Sequence, residues 1–173
     1  MADLESWLAR IDAVEDRLEA LATPTEGLTP NAGGLTEADP ATGERWEAGQ
    51  VWGHIAEFIQ FWTEQAGDVI DAYQGDPVPF GRTRSDPGRT AGIEQGLHTP
   101  PDVLWDEVQS DLTDFRRFLS ALPEGWSETV GLHSSLGPIP TERILDDFVV
   151  GHLEEHAAQL EGLRKGEASA GTP

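Results

Sequence analysis

Apolar residues recur at helical spacing in four separate stretches of the chain, and turn-forming residues bound each one. Over residues 3–22, Leu4, Trp7, Leu8, Ile11, Val14, Leu18 and Leu21 follow a 3.6-residue repeat, and Pro24 stops the pattern. A second stretch covers residues 45–73, with Val51, His54, Phe58 and Phe61 on one face, and ends at Gly75-Asp76-Pro77. Thr99-Pro100-Pro101-Asp102 reads as a helix start capped by Thr99. The helix it opens carries Leu104, Val108, Leu112, Phe115, Phe118, Leu119 and Leu122 before Pro123. The fourth starts at Thr141, its expected cap, and runs to about Gly166 with Leu145, Val149, Leu160 and Leu163 inward.

Between them lie Gly- and Pro-rich segments over residues 23–44, 76–99 and 124–140, which read as loops. No strand pattern competes with the helical ones. The expected fold is all-α, a four-helix bundle with long inter-helix loops, occupying residues 1–166 as one domain and followed by a disordered tail over 167–173.

Histidine interrupts two of the apolar faces. His152 and His156 are one turn apart and project about 40° from each other, so both aim at the core with Leu145, Val149, Leu160 and Leu163. His54 shares its inward face with Val51, Phe58 and Phe61. A buried imidazole needs both ring nitrogens satisfied, or it costs ~1–3 kcal/mol. Hydrogen bonds within the core would meet that need, and a divalent ion shared by three rings would meet it too. Spacing alone leaves the two readings level.

His152-Leu153-Glu154-Glu155-His156 also fits the pattern H-x-x-E-H, with Glu155 as general base, although the short polar tail beyond offers little for a third ligand. H-E-x-x-H is excluded by Leu153, and no histidine follows a glutamate at the Glu-x-x-His spacing of carboxylate-bridged di-iron bundles.

The three histidines in this order, one on the second helix in GQVWGHIAEF and a His-x-x-x-His pair on the fourth in DDFVVGHLEEHAAQLEGL, give the chain its resemblance. It resembles the DinB-like (YfiT-like) superfamily of metalloenzymes, which includes mycothiol- and bacillithiol-dependent transferases and maleylpyruvate isomerases. That resemblance implies an up-down-down-up bundle and one divalent ion (zinc, nickel, iron or manganese) on His54, His152 and His156. It also implies frequent homodimers. Three neutral imidazoles leave open coordination positions, where a thiol or water would be acidified. The implied chemistry is transfer of a small thiol such as mycothiol to an electrophilic substrate. Hydrolysis, or metal and ligand binding without catalysis, are the alternatives.

Composition narrows the partners. Eleven Lys and Arg against 32 Asp and Glu give a net charge of −21, which repels nucleic acid and anionic membranes alike. There is no cysteine, no basic-apolar leader and no apolar run of bilayer length, so a cytoplasmic protein without thiolate ligands is expected. Against this acidity, Arg82, Arg84 and Arg89 form the one basic cluster, suited to a carboxylate or phosphate of a cofactor or substrate, or to internal salt bridges.

Gln50, Glu47 and Gln159 are placed to accept an imidazole N–H, or to reach solvent. His98 and His133 are solvated loop residues, or acid–base groups at the site's mouth. Trp7, Trp62 and Trp105 belong to apolar stripes. Trp52 lies opposite His54, either exposed for a partner or packed under a loop.

Overall fold

The computed structural model describes residues 4–23, 34–40 and 42–170, with side chains as far as residue 165. Pro24 and half of the first expected loop lie outside the described residues, as does the tail from residue 171. The four helical stretches are present. Helix α1 spans Leu4–Ala22, α2 spans Ala48–Ala72 and α4 spans Pro101–Ser120. The last long helix is composite: α5 (Thr141–Leu145), a π-helical turn (Asp146–Val150) and α6 (Gly151–Ala170) run on without a break. It continues past Gly166, since a single glycine costs a helix only about 1 kcal/mol.

Two features depart from the expected all-α, four-helix layout. A three-stranded sheet joins β1 (Val78–Phe80), β2 (Val130–His133) and β3 (Gly137–Pro140) in the order β1-β2-β3. β1 pairs parallel with β2, Val78 opposite Gly131 and Phe80 opposite His133, whereas β2 and β3 form a hairpin. Each strand is short and carries proline or glycine, which hides the alternation that marks a strand. The fold is mostly helical with a small sheet.

The second departure is α3 (Pro87–Gly96), in a segment expected to be irregular. Asp86 caps it by accepting from the Arg89 N–H at 3.0 Å, and Pro87 opens its first turn. Helix α3 packs on α2 through glycines: a Cβ on Gly49 would stand 2.6 Å from the Gly96 carbonyl oxygen, and Gly53 similarly faces Gly92. The room that Gly49 and Gly53 leave beside His54 is therefore filled by this helix.

Helix ends also differ from expectation. Helix α2 begins at Ala48, because Glu47 and Gln50 form a reciprocal capping box. Thr99 does not cap α4; its hydroxyl donates to the Gln95 carbonyl at 3.0 Å, and Pro100 takes the cap position. Thr141 is the first residue inside its helix, and its hydroxyl pairs with that of Thr129 at 2.6 Å.

The core fills the space between the long helices. Ile11, Val14 and Leu18 meet Ile55, Phe58 and Ile59, Val108, Leu112 and Phe115, and Leu145, Val149 and Leu153, all fully or almost fully buried. Burial of each such side chain contributes roughly 1.5–3 kcal/mol. Helices α1 and α2 each lie beside α4 and the composite helix, so they face each other across the bundle. Arg10–Glu154 and Arg17–Glu161 pairs show that α1 and α6 run the same way. Trp62 lies against Phe148 while His54 meets His152 and His156, so α2 runs against the composite helix. Among the described residues, no helix is long and apolar enough to cross a membrane.

Candidate metal centre

His54 sits early in α2, and His152 and His156 in the first turns of α6, just after the π turn. In that turn the Gly151 N–H bonds the Asp146 carbonyl, five residues back, which inserts an extra residue ahead of the two histidines. Arg10 of α1 spans the irregular stretch, bonding Asp146 at 2.5 Å and Glu154 at 2.7 and 2.9 Å.

The three rings converge on their Nε2 atoms. His54 Nε2 and His156 Nε2 each lie 3.2 Å from His152 Nε2, and one ligand atom from each residue falls within 4.8 Å of the others. Three nitrogens bound at 2.0–2.1 Å to a tetrahedral ion stand about 3.3 Å apart, so the spacing fits one small divalent cation.

The outer nitrogens explain why a cation is wanted there. His54 Nδ1 contacts Glu57 Oε1 at 2.6 Å, His156 Nδ1 contacts Gln159 Oε1 at 2.8 Å, and His152 Nδ1 faces a Glu155 oxygen at 3.4 Å. Each acceptor is an oxygen, which puts the ring proton on Nδ1 and leaves an Nε2 lone pair. Three lone pairs then point at one small volume, where a single divalent ion would engage all of them.

Burial keeps the His54 and His156 lone pairs free at neutral pH. His54 is 3% exposed and His156 5%. Desolvation, helped by the neighbouring imidazoles, holds His54 far below the usual histidine range. Desolvation, with the neighbouring His152 ring adding to it, takes His156 down to about 3. Glu155 is held below the ordinary carboxylate range by its bond to His152.

Aromatic rings close the surroundings. Phe58 lies against His152 and His54, with centroids 4.6 and 5.3 Å away. Trp46 stacks on His156 at 6.0 Å and meets His54 edge-on at 5.2 Å.

No protein-family model matches the sequence, and no curated protein does. Solved structures do match. YfiT from Bacillus subtilis, described as a probable metal-dependent hydrolase with an unusual four-helix bundle topology, gives a TM-score of 0.70 at 16% identity, over 95% of this chain and 87% of its own. The mycothiol-dependent maleylpyruvate isomerase gives 0.66 at 14% identity over 92% of this chain, and a histidine-to-alanine mutant of it gives 0.65 at 13%. The chain shares the fold of YfiT and of the isomerase. The chain spans 61% of the isomerase's length.

Within this bundle, the other residues expected at the site fall in varied places. Of the residues placed either to accept an imidazole N–H or to reach solvent, Gln159 meets His156 Nδ1, while Glu47 and Gln50 are occupied in capping α2. Glu155 lies on the Nδ1 side of His152, away from the converging nitrogens, so the general-base reading of H-x-x-E-H is not supported. His98 is exposed beside Glu94. His133 is buried in β2, its Nδ1 accepting from the Ser135 and Leu136 N–H groups and its ring stacked on Phe148, so it is not a solvated loop residue.

Trp7, Trp62 and Trp105 are core residues. Trp52 is only 2% exposed and packs on Trp105 of α4, which removes it as a partner surface and places it under a helix instead of a loop. Glu57 and Trp46 were not singled out from the sequence. Glu57 was legible, since it follows His54 by three residues as Glu155 follows His152 and Gln159 follows His156.

The arginine cluster divides. Arg82 is buried on Glu57 and lies 4.0 Å over the Phe61 ring. Arg84 is exposed near Asp39. Arg89 lies 5.4 Å over Trp46, half-buried, and donates to the Arg84 carbonyl at 2.9 Å. Its partial burial weakens its hold on the proton.

Proposed function

We propose that the protein is a metal-dependent enzyme that uses His54, His152 and His156 to hold one divalent ion and activates a small thiol, of the mycothiol type, for transfer to an electrophile. The observation that carries this reading is the convergence of three Nε2 lone pairs whose Nδ1 partners are all oxygens. Such an ion supplies a Lewis acid with open positions, able to acidify a coordinated thiol or water. Zinc, nickel, iron and manganese all accept three imidazoles.

The chain's own residues do the remaining work. Glu57, Glu155 and Gln159 orient the rings. Phe58 and Trp46 keep water from the inner side. Arg89 is the member of the arginine cluster best placed to hold an anionic group of the substrate, because Trp46 links it to two of the histidines and no carboxylate pairs with it among the described residues. Arg84 would add to the positive field, whereas Arg82 is committed to Glu57.

The similarity to the mycothiol-dependent isomerase supports thiol chemistry, and the description of YfiT supports a second reading, metal-dependent hydrolysis at the same ion. The pair directions in the bundle support an up-down-down-up order. The proposal extends to a single cytoplasmic domain over residues 1–166 that assembles as a homodimer, which light scattering tests.

The deciding experiment is spectroscopic. In the cobalt- or nickel-loaded protein, a thiol that coordinates the ion shifts the d–d bands, and a conjugation assay with monochlorobimane then reports metal-dependent turnover. Unchanged bands and no conjugate with mycothiol, bacillithiol and glutathione would exclude the transferase and leave hydrolysis or simple binding.

A further inference from the structure

The hydrogen bond behind His54 does not stop at Glu57. Glu57 Oε1 meets His54 Nδ1 at 2.6 Å and accepts from Arg82 Nη2 at 2.7 Å. The Glu57 side chain is 15% exposed and that of Arg82 7%, so the ion pair is largely out of water. Arg82 in turn reaches Asp86, the cap of α3, at 3.5 Å, and the neighbouring Gly81 N–H donates to Gln65 at 2.8 Å. A buried ion pair is seldom a net source of stability, because apolar residues of equal volume often serve as well. Its place directly behind a ligand ring asks for a role at that ring.

We propose that Glu57 and Arg82 are positioning residues of the three-histidine centre: Glu57 holds the His54 ring with Nε2 turned to the metal, and Arg82 holds Glu57. This inference rests on the metal reading given above. Glu57 lies on the ligand's own helix, but Arg82 comes from the segment between β1 and α3. The order of that segment and the occupancy of the centre are therefore coupled, and by linkage the coupling is reciprocal.

The test measures zinc affinity by competition with a chromophoric chelator, in the wild type and in Glu57→Gln, Glu57→Ala and Arg82→Met. Hydrogen exchange over residues 78–86 is followed with and without zinc. Glu57→Ala should weaken zinc binding about 10–100-fold, and Glu57→Gln less, because the amide oxygen still accepts from Nδ1. Arg82→Met should weaken binding in the same sense and add little to Glu57→Ala, since both break one chain of contacts. Zinc should slow exchange over residues 78–86 in the wild type and not in Glu57→Ala. Should Glu57→Ala fail to fold, Glu57→Gln and Arg82→Met carry the comparison. Wild-type affinity in the folded variants, with zinc-dependent protection unchanged, would overturn the positioning role while leaving the metal site standing. A wild type that binds no zinc, nickel, manganese or iron would instead overturn the metal reading and this inference with it.

Discussion

Each of the three histidines places one nitrogen on a common point and the other on an oxygen three residues further along its helix. Replacing any one with alanine removes a third of the ligand set and leaves two lone pairs still opposed. His54→Ala, His152→Ala and His156→Ala should each lower bound metal well below one equivalent by elemental analysis after refilling and buffer exchange. His133→Ala should retain the wild-type content, because its ring is engaged by the Ser135 and Leu136 amides. Equal metal loss in His133→Ala would show that the ligand set is wrong.

A second residue-scale prediction concerns Asp111 on α4. Burial, reinforced by Asp114, Glu107 and Glu64, raises its pKa from 3.8 to about 6. Above pH 6 the native state carries that charge at a cost. As pH falls from about 6 towards 3.8 the native state takes up a proton before the unfolded chain does, so this group's contribution to stability rises with acidity. Asp111→Asn should therefore stabilise the protein near pH 8 by about 1 kcal/mol, allowing for solvent screening, and the gain should vanish near pH 4. Denaturant melts at both pH values check the sign; a constant gain would point to something other than titration.

At the scale of elements, the contact between α2 and α3 depends on absent side chains. A Cβ on Gly53 would collide with the Gly92 carbonyl and the Gly96 backbone, neither of which is a flexible side-chain end. Overpacking of this kind costs ~1–3 kcal/mol, against a helix-propensity gain of about 1 kcal/mol. Gly53→Ala should therefore lower the melting temperature, and it should disturb α3 first. Gly162 in α6 has nothing within 4 Å of its Cβ position, so Gly162→Ala should raise the melting temperature by the propensity term alone. A rise in both variants would mean that α3 does not sit on α2 as described.

The sequence signals for these elements were uneven for physical reasons. Helices α1 and α4 announce themselves through long apolar stripes. The start of α3 was readable in Ser85-Asp86-Pro87, but its own face carries little apolar area and it is held mainly by backbone proximity to α2. The strands are too short to show a period, and the partner of β1 lies far away in sequence. Nothing near Val78–Phe80 indicates that Gly131 and His133 will pair with it.

For the whole molecule, the core and the proposed metal centre are separable contributions. The four apolar stripes bury Ile11, Phe58, Leu112, Leu145 and their neighbours without any ion. Metal removal should therefore leave helical content intact by circular dichroism while lowering the melting temperature. Linkage puts the loss at ~4 kcal/mol when free metal stands about a thousandfold above its dissociation constant. Unchanged melting after confirmed metal loss would sever the link between the centre and the bundle.

The sequence by itself determined the bundle's four helical stretches and the inward aim of His54, His152 and His156. Helical period and apolar faces are local properties, readable from spacing within a single element. It also carried, at three residues beyond each histidine, the oxygens that orient the rings. Only the tertiary structure decided that His54 Nε2 meets the other two within 4.8 Å, that Arg82 stands behind Glu57, and that Trp46 lies over the centre. Those contacts join segments tens of residues apart. Their geometry is set by how glycine-lined α3, the π turn and the Arg10 bridge fit against the bundle, and no local pattern encodes that fit.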